Sequence, residues 1–312
     1  MRDPAQPDLS IIIVSWNVRE FLAACLNSLS AAASSCPHEC LVIDCASEDG
    51  SAAMVAEQFP RVRLFRAEEN IGFVRANNWG MRKALGRHFL LLNPDTFVPE
   101  RVLPVMRAEM EHEPRIGILG PQHFNSDGSH QSTRRRFPNG AIALLESTWL
   151  QALAPPRLLA HYYLEDLSDE GSYDVDWVQG SALWVRRELW QAIGGMDERY
   201  TMYFEEVDWC QRARRAGWRV RYHGAACITH HGGASSEQVP TMRQWHFDRS
   251  KLRYTRQYQG RALALLLLLV LRSGYLTRMA LEAGKWLLGH KRALRLRRLR
   301  GYGKLLVSPL WP

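Results

Sequence analysis

The sequence predicts an α/β protein built on a doubly wound, mostly parallel sheet. Over the first hundred residues, short apolar runs alternate with segments of helical periodicity, which is typical of βαβ units. Two of the apolar runs end directly at an acidic residue, Asp44 and Asp95. Because ligands of such sheets gather beyond the carboxyl ends of the strands, this placement also predicts the position of a site.

The first four strands and three helices follow from this alternation. Residues 9–16 form an apolar, β-branched run that is typical of a buried parallel strand. Asn17 is then predicted to begin a helix, with Glu20 as its capping-box partner. Further strands are predicted at residues 39–44, 61–66 and 88–92, with helices at 51–58 and 76–86.

The second half of the chain is less regular but continues the pattern. A less readable stretch begins with the basic triplet Arg134, Arg135 and Arg136 and continues to residue 174. We expect it to form loops and short helices that shape the site of an acceptor substrate. Helices are predicted throughout from residue 242 onward. The remaining predicted elements are a turn at 125–128, strands at 116–120, 177–186 and 218–228, and helices at 187–193 and 205–216.

Composition places the chain among ordinary globular proteins, with 46% hydrophobic and 23% charged residues in a length of 312. The first residues do not resemble a secretory signal. The longest apolar run, Ala262–Leu271, has ten residues where a membrane span needs about 20, so no transmembrane helix is expected. Six scattered cysteines without a CxxC pair indicate reduced thiols in the cytoplasm, and zinc binding at Cys36, Cys40 and Cys45 is not favoured.

Charge is unevenly distributed along the chain. Between Arg249 and Lys304 there are fifteen basic residues and one acid, whereas the remainder carries 25 basic and 31 acidic residues. We therefore expect a catalytic domain over residues 1–260 and a basic, amphipathic helical tail over 261–312. Nucleic acid and anionic lipid both suit such a tail, but without a nucleic-acid-binding motif we favour peripheral attachment to the inner leaflet of the cytoplasmic membrane.

Acidic and imidazole side chains supply the candidate chemistry. Asp44 suits either a ribose or base contact or a simple turn, while Asp95, held after Asn93-Pro94, suits a divalent cation. A helix that begins with Glu205, Glu206 and Asp208 directly behind aromatic residues suits a general base. His230 is a candidate to complete the metal shell.

Nucleotide-binding signatures of other classes are missing from the sequence. The Gly- and Asn-rich loop at residues 69–80 is neither a Walker A motif nor a GxGxxG fingerprint, which weighs against P-loop ATPases and ordinary dehydrogenases. A nucleotidyltransferase also binds nucleotides on a sheet of this kind and remains an alternative enzyme class for the chain. However, Ser15-Trp16-Asn17 lacks the Gly-rich basic signature expected after the first strand of such an enzyme.

Six motifs taken together resemble family 2 glycosyltransferases of the bacterial rhamnosyltransferase-like group. They occur in the order and spacing of that family over residues 9–260. The motifs are SIIIVSWN at 10–17, VIDCASEDGS at 42–51, ENIGFVRANNWG at 69–80, LLLNPDTFV at 90–98, WVQGSALWVRRELWQAIGGMDERYTMYFEEVDWCQRARRAGW at 177–218, and ITHHGGASS at 228–236.

The resemblance implies a GT-A fold, a nucleotide-diphospho-sugar donor and residue roles by position. Asp95 matches the last acid of the DxD motif that binds Mg²⁺ or Mn²⁺, and Asn93 replaces its first acid. Glu206 stands where the family usually has an aspartate base. The implied donor-binding residues are Asn17, Asp44, Asp49, Asn70, Asn78 and Asn93. The implied acceptor-binding residues are Trp177, Gly180 and Glu205, the metal ligands are Asp95 and His230, and the catalytic residues are Glu206 and Asp208.

The implied reaction is a single-step, inverting sugar transfer to a saccharide or lipid-linked acceptor in cell-envelope polysaccharide synthesis. By the same resemblance, dTDP-rhamnose is the first candidate donor and UDP-hexoses the second. Since Glu206 replaces the usual aspartate, a catalytically silent relative that only binds the donor is a further alternative.

Overall fold

The computed structural model describes residues 7–32 and 37–312, so Cys36 lies outside the described residues. The chain divides into two compact units. We call the first the sheet unit, which comprises Met1–Phe137, Tyr163–Thr201 and Glu205–Gln238. The second is the helical unit, which comprises Pro138–Tyr162, Met202–Phe204 and Val239–Pro312.

Twelve strands, all in the sheet unit, are found in the described residues. They are β1 (Leu9–Ser15), β2 (His38–Asp44), β3 (Arg63–Arg66), β4 (His88–Leu92), β5 (Thr96–Phe97), β6 (Ile116–Phe124), β7 (His130–Gln131), β8 (Arg134–Arg135), β9 (Ser172–Asp174), β10 (Trp177–Val178), β11 (Ala182–Arg186) and β12 (Arg219–His230).

Eleven α-helices are distributed over the two units. They are α1 (Arg19–Ala32), α2 (Ser51–Gln58), α3 (Phe73–Lys83), α4 (Val102–His112), α5 (Gly140–Leu145), α6 (Pro156–Tyr163), α7 (Arg187–Ile193), α8 (Glu205–Arg215), α9 (Pro240–Tyr258), α10 (Arg261–Leu287) and α11 (Arg292–Val307). Helix α5, α6 apart from its last residue, and α9 to α11 belong to the helical unit.

The main sheet has the strand order β3-β2-β1-β4-β11-β6-β12-β5, with β7 added to β6 and β9 to β12. Strands β1 to β4 pair in parallel, and β6 pairs in parallel with β12. Strand β11 lies antiparallel between β4 and β6. The predicted α/β class with a mostly parallel sheet is therefore confirmed. The carboxyl ends of β1, β2, β4, β6 and β12 meet at one edge.

Alternating side chains of β1 pack helices on both faces of the sheet. Ile11 and Ile13 belong to the buried cluster that includes residues of α1 and α4. On the other face, Cα of Gly80 in α3 comes so close that a methyl group there would lie 2.4 Å from Cγ2 of Ile12. The first strand is thus buried on both sides, as its continuous apolar run predicts.

Three predicted element bounds are corrected by the structure. Asn17 does not begin a helix: α1 begins at Arg19, and Asn17 has a left-handed φ of 51°. The predicted strand at 177–186 is two strands, because β10 pairs with β8 while β11 joins the main sheet, with Gly180 in the turn between them. Strand β12 runs two residues further than predicted and ends at His230.

The helical unit begins earlier than the boundary predicted after residue 260. Helix α9 contributes Leu252 to a buried cluster whose other members come from α10, α11 and the C-terminal residues, which explains the assignment of α9 to this unit. Two buried polar contacts add to it: the Tyr275 hydroxyl donates to Asp248, and Lys251 donates to the carbonyl oxygen of Glu146.

Helix α10 is longer than the apolar run that suggested it. Among the described residues it is one helix that is long and apolar enough to cross a membrane, judged by length and composition alone. The ten-residue apolar run is only the first part of this helix, which continues past Arg272 to Leu287. Its buried residues lie on one face and pack within the helical unit.

The close approach of α3 to β1 predicts a strong effect of Gly80→Ala. The added methyl group has no room beside Ile12, so we expect a loss of about 1–3 kcal/mol in the free energy of unfolding. Gly284→Ala is the control, because its helical position has open space and alanine favours a helix by about 0.5–1 kcal/mol. Urea unfolding followed by circular dichroism measures both; equal stabilities would contradict the packing described.

Candidate active site

Two buried polar atoms without partners mark the ends of β1 and β2. Ser15 and Asp44 are paired neighbours at the carboxyl ends of these strands. Oγ of Ser15 and Oδ1 of Asp44 are buried and have no hydrogen-bond partner in the described part of the chain. Oδ2 of Asp44 accepts from the backbone N–H of Ser47 at 3.1 Å. Because buried polar atoms are normally satisfied, this pair is suited to receive a ligand.

The loop after Asp44 is fixed by Asn17 and Asp49. Oδ1 of Asn17 accepts from the backbone N–H of Glu48 at 2.7 Å. Asp49 accepts from the backbone of Arg19 and from both the backbone and hydroxyl of Ser51. Burial works to raise the pKa of Asp49, but these hydrogen bonds outweigh it and the pKa is lowered. Both side chains thus hold the loop in its conformation. Their contacts with a nucleotide-sugar donor stay a prediction.

A carboxylate and an imidazole face each other beyond β4 and β12. Oδ1 of Asp95 lies 3.4 Å from Nε2 of His230, and both side chains are at least nine-tenths buried. Nδ2 of Asn93 lies 3.4 Å from the same imidazole nitrogen. Oδ2 of Asp95 accepts from the backbone N–H of Ala234 at 3.3 Å. Burial works to raise the pKa of Asp95, but the His230 contact and this N–H lower it overall.

Gln131 fixes the orientation of the His230 ring. Its Nε2 donates to two carbonyl oxygens, those of His230 and of the Asn125 side chain, at 2.7 and 2.6 Å. Its Oε1 is therefore the atom 3.0 Å from Nδ1 of His230, so that nitrogen carries the proton. Nε2 is left facing Asp95, which is the arrangement of a metal-binding histidine with an outer partner.

The donor set at this place fits a divalent cation that also uses substrate oxygens. Within residues 7–32 and 37–312 no group of three or more His, Cys, Asp and Glu side chains is arranged to hold a metal. Asp95 and His230 would supply two protein ligands. Mg²⁺ and similar ions are commonly held by few protein groups together with phosphate oxygens and water.

A second acidic centre lies at the start of α8. Oε2 of Glu205 and Oε2 of Glu206 are buried without hydrogen-bond partners in the described chain. Burial, and then the charge of Glu206, raises the pKa of Glu205 well above its usual value. Burial also raises the pKa of Glu206, against the opposing effect of nearby backbone N–H groups and of the Arg135 guanidinium. A carboxyl with a raised pKa is suited to general-base chemistry.

The turn between β10 and β11 connects Glu206 with the site of Asp95 and His230. A methyl group at Gly180 would lie 3.5 Å from Cβ of Glu206, so this side of the glutamate adjoins glycine. The next residue, Ser181, accepts at its carbonyl oxygen from the backbone N–H of Asn93 at 2.9 Å. Glu206 is therefore connected through two residues to Asn93, which contacts His230.

Arg135 and Trp177 form a cation–π contact within the sheet unit. The Arg135 guanidinium lies 4.8 Å from the ring of Trp177 and 5.2 Å from the ring of Tyr163. Trp177 is only 5% exposed, and its indole N–H donates to the carbonyl oxygen of Arg136 at 2.9 Å. The ring is thus buried and supports Arg135, and the predicted acceptor contact of Trp177 stays a prediction.

Two further predicted residues are engaged inside the protein. Asp208 is fully buried and accepts from Arg212 at 2.8 Å; Arg212 also donates to the carbonyl oxygens of Ile193 and Gly195. This network leaves Glu206 as the better candidate base. The Asn78 amide group bonds Met196 and Glu198.

Asn70, by contrast, is exposed in its loop. Its Oδ1 accepts from the backbone N–H of Gly72 at 3.0 Å, and Gly72 has a left-handed φ of 83°. The hydrogen bond holds a tight turn that leaves the rest of the Asn70 side chain accessible.

Sequence reasoning missed Ser15, Gln131 and Arg135. Ser15 stands at the end of an apolar strand directly before Trp16-Asn17, which was a usable signal. Arg135 lies in the basic triplet that was assigned only to an acceptor region. Gln131 had no local signal, because its role depends on His230, which lies 99 residues away on β12.

A sequence profile described as "Glycosyl transferase family 2" matches residues 10–188, more than half of the chain. The strand-end edge with its acidic turn and the matched motifs agree with this assignment. The chain belongs to glycosyltransferase family 2, and it is a glycosyltransferase.

Curated relatives carry related names. The chain is 29% identical over 248 residues to "N-acetylglucosaminyl-diphospho-decaprenol L-rhamnosyltransferase" of Mycobacterium tuberculosis, covering 74% of this chain and 78% of the relative. It is 24% identical over 212 residues to "Low-salt glycan biosynthesis hexosyltransferase Agl10" of Haloferax volcanii, covering 67% and 62%.

Solved structures establish the fold as GT-A. The mannosyltransferase PcManGT from Pyrobaculum calidifontis, in complex with GDP-Man and Mn²⁺, superposes with a TM-score of 0.58 at 15% identity, covering 98% of this chain and 89% of that one. GalNAc-T7 with UDP, GalNAc and Mn²⁺ gives 0.55 at 16% identity, covering 81% and 48%.

The buried Glu205 predicts a pH-dependent effect of Glu205→Gln on stability. In the unfolded chain this carboxyl ionises near 4.5, whereas its pKa in the folded protein is higher, so wild-type stability falls as pH rises between the two values. Glutamine loses no proton. The variant should therefore melt above the wild type, with a difference that grows as the pH rises above about 4.5.

Thermal unfolding across this pH range measures the Glu205 effect. Glu188→Gln, which alters an exposed acid on α7, is the control and should show no such trend. A Glu205→Gln difference that is constant with pH would mean that the carboxyl is not held protonated by burial.

Proposed function

We propose that this protein is an inverting glycosyltransferase that moves a sugar from a nucleotide-diphosphate donor to a saccharide or lipid-linked acceptor in cell-envelope polysaccharide synthesis. Rhamnose is the first candidate sugar. The observation that carries the proposal is the pair formed by Asp95 and Nε2 of His230. Two electron-pair donors 3.4 Å apart at the strand-end edge are suited to a cation that a diphosphate also binds.

Ser15 and Asp44 supply the nucleotide contacts in this proposal. Their partnerless oxygens lie at neighbouring strand ends, where ligands of doubly wound sheets bind. A nucleoside offers hydroxyl and N–H groups that satisfy such acceptors. Asn17 and Asp49 keep the adjoining loop in shape, and Asn70 remains a candidate donor contact. We leave Asn78 out, since its amide is engaged internally.

Asp95 and His230 would hold Mg²⁺ or Mn²⁺, with Asn93 beside them and Gln131 keeping the imidazole oriented. When bound, the ion offsets negative charge that builds on the departing nucleotide diphosphate. The structures of PcManGT and GalNAc-T7 that resemble this fold were both determined with Mn²⁺, which supports this choice of cofactor.

Glu206 is the base in this proposal. It removes the proton of an acceptor hydroxyl, whose oxygen bonds to C1 of the sugar on the face opposite the diphosphate as the C1–oxygen bond to the donor breaks. Gly180 leaves room beside the carboxyl for the acceptor. Burial still raises the pKa of Glu206, but Arg135 opposes this effect and so favours the ionised form that a base needs.

In this proposal the acceptor is inferred from a relative, and the cellular location from the surface of the helical unit. The mycobacterial relative is named for a diphospho-decaprenol acceptor. Fourteen of the seventeen exposed large hydrophobic side chains in the described residues belong to the helical unit, which also includes the whole basic tail at residues 261–312. Both observations support peripheral attachment at the inner face of the cytoplasmic membrane, where a lipid-linked acceptor is reached.

A thermal-shift panel tests donor and metal binding. Nucleoside diphosphates and nucleotide sugars with Mn²⁺ should raise the melting temperature of the wild type, and Asp95→Ala and His230→Ala should lose the shift. Gln131→Leu should weaken the apparent Mn²⁺ affinity about 10–100-fold, because it releases the imidazole.

His130→Ala is the matched control for Gln131→Leu, since it alters the neighbouring residue of the same strand. If no nucleotide diphosphate stabilises the wild type, the proposed function fails. A wild type that binds donors yet transfers from none of them would support the silent-relative alternative.

Substitutions at the base separate chemistry from binding. Glu206→Gln should lower kcat by about 10²–10⁴-fold, while donor-induced thermal shifts stay as in the wild type. Gly180→Val should instead raise KM for the acceptor, because it fills the space beside the carboxyl. Steady-state kinetics with radiolabelled donor measure both. Full activity of the Glu206→Gln variant would mean that another residue is the general base.

A further inference from the structure

A groove of about 890 Å³ lies in the helical unit, between the beginning of α9 and one face of α11. Its volume is in the range of sites that take small molecules. All of its lining residues belong to this unit. They are Val239, Pro240, Thr241, Met242, Trp245, Ala293, Leu296, Arg297, Arg300, Gly301, Lys304, Leu305 and Ser308.

The lining of the groove is apolar along its length. The α11 contributions recur every three or four residues from Ala293 to Leu305, which places them on one side of the helix. Met242 and Leu296 are 52% and 40% exposed. Leu305 is buried and belongs to the core of the helical unit. An apolar surface of this kind is suited to a hydrocarbon chain.

The charged residues of the groove are all basic and unpaired. Arg297, Arg300 and Lys304 are exposed and have no ion-pair partner in the part of the chain that the structure describes. On the same helix, Arg295 and Arg298 pair with Glu282, the one acid between Arg249 and Lys304. The three groove cations therefore have charge to offer to an anionic ligand.

We propose that this groove binds one molecule of an anionic membrane phospholipid. An acyl chain lies along Met242, Trp245 and Leu296, and the phosphate group contacts the three groove cations. The apolar lining favours an amphiphile over a polynucleotide, which would contact the basic groups alone. None of the groove residues belongs to the sheet unit, which carries the proposed sugar-transfer residues.

Short-chain lipid below its micelle concentration tests the groove without a membrane. Dihexanoyl phosphatidylglycerol should bind the full chain at one site by isothermal titration calorimetry, at least about tenfold more tightly than dihexanoyl phosphatidylcholine. Glycerol 1-phosphate should not bind, because it lacks the chains. If farnesyl phosphate binds and phosphatidylglycerol does not, the occupant is an isoprenoid phosphate and the proposal is overturned.

Matched variants locate the binding. Ala293→Trp, which fills the groove, and Arg297→Glu combined with Arg300→Glu should each weaken phosphatidylglycerol binding about tenfold or more. Arg261→Glu combined with Lys285→Glu makes the same charge change on α10, outside the groove lining, and should bind as the wild type. Equal losses in the two double variants would overturn the proposal, as would a smaller oligomer in Ala293→Trp, which would make the groove an interface between copies.

Vesicle flotation separates this inference from the proposed location. Phosphatidylcholine vesicles containing about one third phosphatidylglycerol should carry the wild type with them. If the protein binds the short-chain lipid but does not float with the vesicles, the groove proposal stands and the membrane location is rejected. If it floats with the vesicles but does not bind the short-chain lipid, the membrane location stands and the groove proposal is rejected.

Discussion

The pairing of the short strand β5 with the end of β12 determines the candidate metal pair. Thr96 is opposite His230 in this pairing, and the backbone N–H of His231 donates to the carbonyl oxygen of Asp95 at 2.9 Å. Because side chains alternate along a strand, a slip of one residue would turn the imidazole to the opposite face. Gln131 reinforces this register through its hydrogen bond to the His230 carbonyl oxygen.

Burial of unpaired carboxylates is the second constraint on the site. Glu205 and Glu206 each keep an oxygen without a partner, whereas Asp208, in the same helical turn, is satisfied by Arg212. Unpaired buried carboxyls cost stability, so the Asp208–Arg212 pair anchors the helix that must carry them. The chain before α8 is also unusual, since Tyr203 and Phe204 both have left-handed φ values, of 67° and 63°. Such backbone is typical of functional positions.

Buried and exposed charged groups of the helical unit differ in whether they have a partner. Its buried ionisable groups are paired: Asp248 with Tyr275, Lys251 with Glu146, and Glu282 with Arg295. The cations that line the groove have no such partners. Since a basic segment with one acid cannot neutralise itself, its remaining charge is available to an anionic ligand of the kind proposed for the groove.

The sequence by itself determined the strands β1 to β4, the two helical stretches at residues 51–58 and 205–216, and the family. Apolar runs, helical periodicity and ordered motifs are properties of contiguous residues, so they can be read without the fold. It also identified Asp95 and His230 as residues of interest. The proposed roles of the predicted site residues still await experiment.

Only the tertiary structure decided the break between β10 and β11, the assignment of α9 to the helical unit, and the partners of Trp177 and Asp208. Each depends on which distant strand or helix a segment contacts. Ser15 and Gln131 likewise gain meaning only through long-range pairing: Ser15 through its register with Asp44, and Gln131 through a histidine 99 residues away. Local sequence does not contain that register, because it is set by the packing of the whole sheet.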